Sequence, residues 1–177
     1  WLYPEALAAF EHARDESAPL PCAQANLTCT VTCNERGVLS LYSDCTEWAG
    51  TPEALTLRRA DTWNLETGYP ITASECFPRG TRVRALCLAA AREQCRRQQE
   101  SSLAVYHPDF SRRLRRNLNL RNFYLSEKGF HFFYQPWAIA PGFEGCPTFL
   151  LPFSDSETDA AGPLWPAGNP CNAEKSI

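Results

Sequence analysis

Hydrophobic and polar positions alternate most regularly in two parts of the chain. Between Leu27 and Asn34, Cys29, Val31 and Cys33 fall on one side and Thr28, Thr30 and Thr32 on the other. That period of two is what a half-exposed strand requires. Glu35-Arg36-Gly37 supplies a turn, and Val38–Trp48 returns as a second strand with Leu39, Leu41 and Cys45 on a shared face. Glu53–Leu65 alternates over part of its length (Leu55 and Leu57, then Trp63 and Leu65) and predicts a further strand or strand pair. Glu66-Thr67-Gly68 then turns the chain into a short extended piece, Tyr69–Thr72. The other regular part is aromatic. Asn122–Leu125 and Phe130–Gln135 suit a pleated, half-buried surface, and Ser126-Glu127-Lys128-Gly129 joins them as a hairpin loop. Pro136, Pro141 and Pro147 forbid continuous pairing, so 136–147 is predicted to be an ordered loop, with Thr148–Phe153 as a last strand.

Three segments carry helical spacing. In Pro4–Arg14, proline and Glu5 suit the first turn, and Ala6, Phe10 and Ala13 share a face. In Thr81–Gln99, Val83, Leu86, Cys87, Ala90 and Gln94 line one side, Thr81 is the expected N-cap, and Arg96-Arg97 suits the negative end of the dipole. Phe110–Asn117 is short and basic, with Arg112, Arg113, Arg115 and Arg116. The order of elements predicts an α+β fold: a mainly antiparallel sheet with one long and several shorter helices on one face. Residues 1–155 read as a single domain, and 156–177 as a tail rich in proline and glycine.

A net charge of −3 gives no reason to expect nucleic acid as a partner. No run of 18 apolar residues occurs, so membrane attachment is expected only through an anchor outside this sequence. The opening on Trp1 suggests a mature or trimmed ectodomain. Nine cysteines sharpen that expectation: Cys22, Cys29, Cys33, Cys45, Cys76, Cys87, Cys95, Cys146 and Cys171. None forms a Cys-x-x-Cys pair, which argues against structural zinc. Scattered singly, they predict at least three disulfides and an oxidising, extracytoplasmic compartment, with at least one thiol left over from the odd count. Cys87 and Cys95 are eight residues apart, about 12 Å along a helix, too far to bridge each other.

The search for chemistry is mostly negative. His12, His107 and His131 have no carboxylate or cysteine at ligand spacing, and His131 is expected on the solvent face of its strand. Gly-x-Ser-x-Gly, a phosphate loop and a dinucleotide fingerprint are all absent. No catalytic residue, metal site or cofactor is therefore expected. Ten of the 34 residues from 121 to 154 are aromatic against 12% in the whole chain, so this stretch is the organising core, with a loop on its rim.

Several of these segments resemble a known family. They are Asn122-Phe123-Tyr124-Leu125, the Gly129 turn, Phe132-Phe133-Tyr134, the loop from Pro136 to Gly145, and Leu151-Pro152-Phe153-Ser154. Together they are similar to the C-terminal pattern of a domain of unknown function. That domain forms the ectodomain of lysozyme-sensing anti-sigma factors and is also found attached to peptidoglycan deacetylases. Gly37–Leu41 and Trp63–Gly68 resemble its strand and turn segments, and the resemblance covers about residues 3–155. Two positions depart from the family. Trp48-Ala49-Gly50-Thr51-Pro52 lacks its usual histidine turn, and Trp137 replaces its usual tyrosine.

The resemblance implies a bacterial, extracytoplasmic binding or sensor domain that recognises lysozyme, another secreted protein, or cell-wall material. The alternative is a peptidoglycan-acting enzyme of the cell envelope or an accessory domain of one. The partner is expected on the proline-restrained loop, through Trp137, Pro141 and Phe143, with Trp48 as a further candidate.

Overall fold

Arg36 and Gly37, with φ of 50° and 73°, close a tight turn that sets β1 (Gln24–Glu35) antiparallel against β2 (Val38–Trp48). In this computed structural model the described residues are 24–48 and 54–153. β3 (Leu55–Asn64) pairs with the other side of β2, giving a sheet of order β1-β2-β3. A one-turn 3-10 helix, Ala73–Cys76, leads to α1 (Val83–Glu100) and α2 (Phe110–Asn117). The chain ends, as far as it is described, in a second sheet of β4 (Phe123–Ser126), β5 (Gly129–Phe133) and β6 (Thr148–Pro152), again antiparallel and in sequence order.

The fold is thus mixed α and β, with two three-stranded sheets in place of the single sheet expected. Buried hydroxyls and rings join the two sheets. Ser40 Oγ lies 2.8 Å from Thr62 Oγ1 and accepts the Leu125 N–H at 2.8 Å, so the polar groups at the seam are satisfied. The Tyr42 and Tyr124 rings meet there at 5.1 Å. Below the seam, Phe123 stacks on Phe130 at 4.9 Å, and Phe132 and Tyr134 both contact Phe149.

α1 buries Val83, Cys87, Ala91 and Cys95, a straight i, i+4 stripe, so Ala91 takes the place the sequence reading gave to Ala90. Its N-cap is Arg82, without a side-chain cap, and not Thr81. Gln94 leaves the apolar stripe to act as a strand partner. Its Nε2 donates to the Leu150 carbonyl at 2.8 Å and its Oε1 accepts the Leu150 N–H at 3.2 Å, which occupies the free edge of β6.

Two expectations on β1 and the cysteines are corrected. A bulge between Val31 and Cys33 shifts the register, so Val31 faces Leu41 but Cys33 faces Ser40. Cys33 is therefore buried on the opposite side from Cys29 and Val31, because the extra residue reverses the side-chain alternation. Cys29, Cys33, Cys45, Cys76, Cys87, Cys95 and Cys146 are all free thiols, against the disulfide framework expected. Cys76, Cys87 and Cys95 are wholly buried among aliphatic and aromatic side chains and behave as small hydrophobes. Cys22, Cys171, the helix expected over Pro4–Arg14, the Ala49–Pro52 part of the Trp48–Pro52 segment and the tail at 156–177 lie outside the described residues.

Candidate functional site

The loop between β5 and β6 is tied down along its whole length. The Tyr134 N–H donates to the Pro147 carbonyl at 3.0 Å and closes the base. Gln135 reaches back to β3, where its Oε1 accepts the Arg58 N–H at 3.0 Å and its Nε2 donates to the Arg58 carbonyl. Arg58 is itself fixed, with Nε and Nη2 donating to the two Asp44 carboxylate oxygens at 2.7 and 2.8 Å and its guanidinium 4.2 Å above the Tyr42 ring. Burial works against the Arg58 charge, but Asp44 outweighs it and raises the pKa of the group. Beside this pair Cys146 is pushed up to about 11, by burial first, with Arg58 pulling the other way.

Further along, Asn117 Nδ2 donates to the Ala138 carbonyl at 2.8 Å, and the His107 N–H donates to the Ile139 carbonyl at 3.1 Å. Ile139 and Ala140 sit in the core. Pro141 starts a 3-10 turn over Gly142–Glu144, and the Glu144 carboxylate accepts the Val105 N–H at 2.8 Å. Both ends and the middle of the loop are anchored, and two of its aromatic side chains remain outside. Phe143 is 79% exposed and Trp137 51% exposed.

Trp137 has φ of 65°, a left-handed backbone that a bulky residue rarely adopts. The adjoining bonds from Gln135 and Asn117 hold it there, and its indole lies over Gly142. A Cβ at Gly142 would come within 2.2 Å of ring atoms Cε2 and Cζ2. Glycine is needed at 142 for that close approach.

Trp137 also borders a groove of about 470 Å³, shared with Pro136, Ala138 and the residues Asp109, Arg112, Arg113, Arg116 and Asn117 around α2. Leu114, wholly buried, turns the arginines outward. Arg113 donates to Asp109 at 2.6 Å and holds that carboxyl below its ordinary range.

Of the predicted partner-binding residues, the structure places Trp137, Pro141 and Phe143 on this one loop. Trp48 is 37% exposed at the end of β2, paired in register with Gln24, and makes no ring contact or hydrogen bond with the loop. The arginines of α2 are legible in the sequence as a basic run, but their position beside Trp137 depends on the Asn117–Ala138 bond, which no local pattern announces.

His131 is half-buried, not solvent-facing. It stacks on Tyr124 at 4.7 Å with Nε2 2.7 Å from Ser126 Oγ, and burial lowers its pKa. Among the described residues no group of three or more His, Cys, Asp or Glu side chains could hold a metal ion, and no helix is long and apolar enough to cross a membrane.

Comparison with known proteins gives a family match over the C-terminal part. Residues 77–154 match a family described as "Protein of unknown function (DUF3298)". A DUF3298 family member from Bacteroides fragilis has a similar structure, with TM-score 0.61 and 14% identity over 94% of this chain and 63% of that one. A DUF3298 family protein from Pseudomonas aeruginosa PAO1 aligns with TM-score 0.59 and 16% identity over 82% of this chain and 65% of that one. The chain thus spans just under two thirds of the length of either structure. At such identities the likeness is one of fold. No curated protein matches the sequence.

Proposed function

We propose that the protein, whose residues 77–154 match the DUF3298 family, is a non-catalytic, extracytoplasmic binding or sensor domain of a bacterial cell envelope. Its partner is a secreted protein, for which lysozyme is the first candidate through the sequence resemblance. The partner docks on the loop from Pro136 to Gly145.

One observation carries the reading: Phe143 stands 79% exposed on a loop whose backbone is anchored at Gln135, Ala138, Ile139 and Glu144. An apolar ring held in water by a fixed backbone loses little entropy on binding and gains the burial of its whole face. Such rigid aromatic anchors are the groups on which interface energy concentrates.

The test is Phe143→Ala and Pro141→Ala, made separately, with folding checked by circular dichroism and affinity for hen-type lysozyme measured by calorimetry. Phe143→Ala is expected to cost about 2 kcal/mol, roughly a thirtyfold loss. Pro141→Ala is expected to cost less, since it loosens the loop without removing a contact. Equal affinity in the wild type and both variants would place the interface elsewhere. Absence of wild-type binding would remove lysozyme as the partner.

A further inference from the structure

The groove between α2 and the loop has a chemistry of its own. Arg112 and Arg116 are exposed, one helical turn apart, and no ion pair is formed by either among the described residues. Like charges at that spacing repel, so the free groove carries an unfavourable arrangement that an anion would relieve. Asp109 neutralises Arg113 alone, and the lining therefore keeps a surplus of two positive charges on a chain of net charge −3. Trp137 also lines the groove, with its indole packed over Gly142 and its backbone left-handed. Backbone strain of this kind persists where surrounding bonds impose it, and it clusters at ligand-binding positions. The lining is polar apart from Trp137 and its two flanking residues, Pro136 and Ala138, and a volume of about 470 Å³ suits a small ligand.

We propose that this groove binds an acidic saccharide, whose ring lies on the Trp137 indole while its carboxylate is taken by the guanidinium groups of Arg112 and Arg116. Guanidinium forks match carboxylate geometry in a way that a lone point charge does not. The Asp109 carboxylate at the rim is an acceptor for a sugar hydroxyl. The site shares Pro136–Ala138 with the protein-docking loop but does not include Phe143.

The experiment uses the full chain and a hyaluronan tetrasaccharide as probe, with a neutral N-acetylglucosamine tetramer, hexaglutamate and inorganic phosphate as comparisons, all read by calorimetry. The acidic saccharide is expected to bind at least tenfold more tightly than each comparison. Arg112→Gln/Arg116→Gln, on an exposed helix face, is expected to lose at least tenfold, and so is Trp137→Leu. Phe143→Ala is expected to leave this binding unchanged, which separates the groove from the protein-docking reading. Equal binding of the neutral tetramer would overturn the role of the arginines. Equal binding of hexaglutamate or phosphate, or an unaffected Trp137→Leu, would reduce the groove to non-specific charge, and no binding of the tetrasaccharide would refute the proposal outright.

Discussion

At the scale of single residues, Gly142 and His131 each make a measurable claim. Ring atoms of Trp137 occupy the space a side chain at 142 would need. Gly142→Ala must therefore displace the indole or strain the loop, at an expected cost of about 1–3 kcal/mol, with a red shift in tryptophan emission as the ring enters water. An unchanged melting temperature and spectrum would show that the indole does not rest there. His131 was expected on the surface because its neighbours Phe130 and Phe132 face the core, and the alternation itself is right. What the period of two does not reveal is that the His131 ring stacks on its cross-strand neighbour Tyr124 and is half-buried.

Burial, and secondarily Lys128, lowers the pKa of His131 in the folded state. The unfolded chain then takes up the proton first as pH falls below about 6.5. The neutral ring's contribution to stability is thus complete above that pH and is lost as pH falls toward the lower folded value. Denaturant midpoints at pH 7.5 and 5.5 should show a drop that is smaller in His131→Gln.

At the scale of elements, the strands and the basic helix were legible because their signals are local. β2 and α2 coincide with the segments read as Val38–Trp48 and Phe110–Asn117, and β3 lies within the segment read as Glu53–Leu65. What failed was non-local. The bulge that turns Cys33 inward is a property of the β1–β2 ladder, and the junction between the two sheets rests on Ser40, Thr62 and Leu125, far apart in sequence.

The site was legible in the same partial way. The prolines marked the loop, yet its attachment to β3 through Gln135 and Arg58 spans 77 residues. That attachment gives a prediction. The side chains of Arg58 and Asp44 are only 17% and 23% exposed, so Asp44→Ala leaves a largely desolvated guanidinium without its carboxylate. A loss of about 2 kcal/mol is expected. Gln135→Ala should cost less stability but raise hydrogen-exchange rates at 135–139, while leaving those in α1 unchanged. Uniform exchange across the molecule would mean that Gln135 does not anchor the loop.

For the molecule as a whole, the cysteines decide what holds it together. Scattered single cysteines pointed to disulfides, but spacing in sequence carries no information on where a sulfur faces. In the fold Cys76, Cys87 and Cys95 lie in the aromatic core, and burial pushes their thiols up to about 12, 12 and 11. Cys33 and Cys45 are buried too, again with raised pKa, while Cys29 is exposed. Extracytoplasmic placement therefore draws its support from the resemblance, and stability draws on packing of the Phe123–Phe149 core. Thiolate is the reactive form, so thiols that are both buried and held protonated are slow to alkylate. Iodoacetamide at pH 8 should label Cys29 in the native protein and spare Cys76, Cys87 and Cys95. In denaturant without reductant, peptide mapping should find label on all seven described cysteines. A melting curve with dithiothreitol should overlay the curve without it. A described cysteine that takes label only after reduction would restore a disulfide at that position, and a melting temperature lowered by reductant would return part of the stability to covalent bonds.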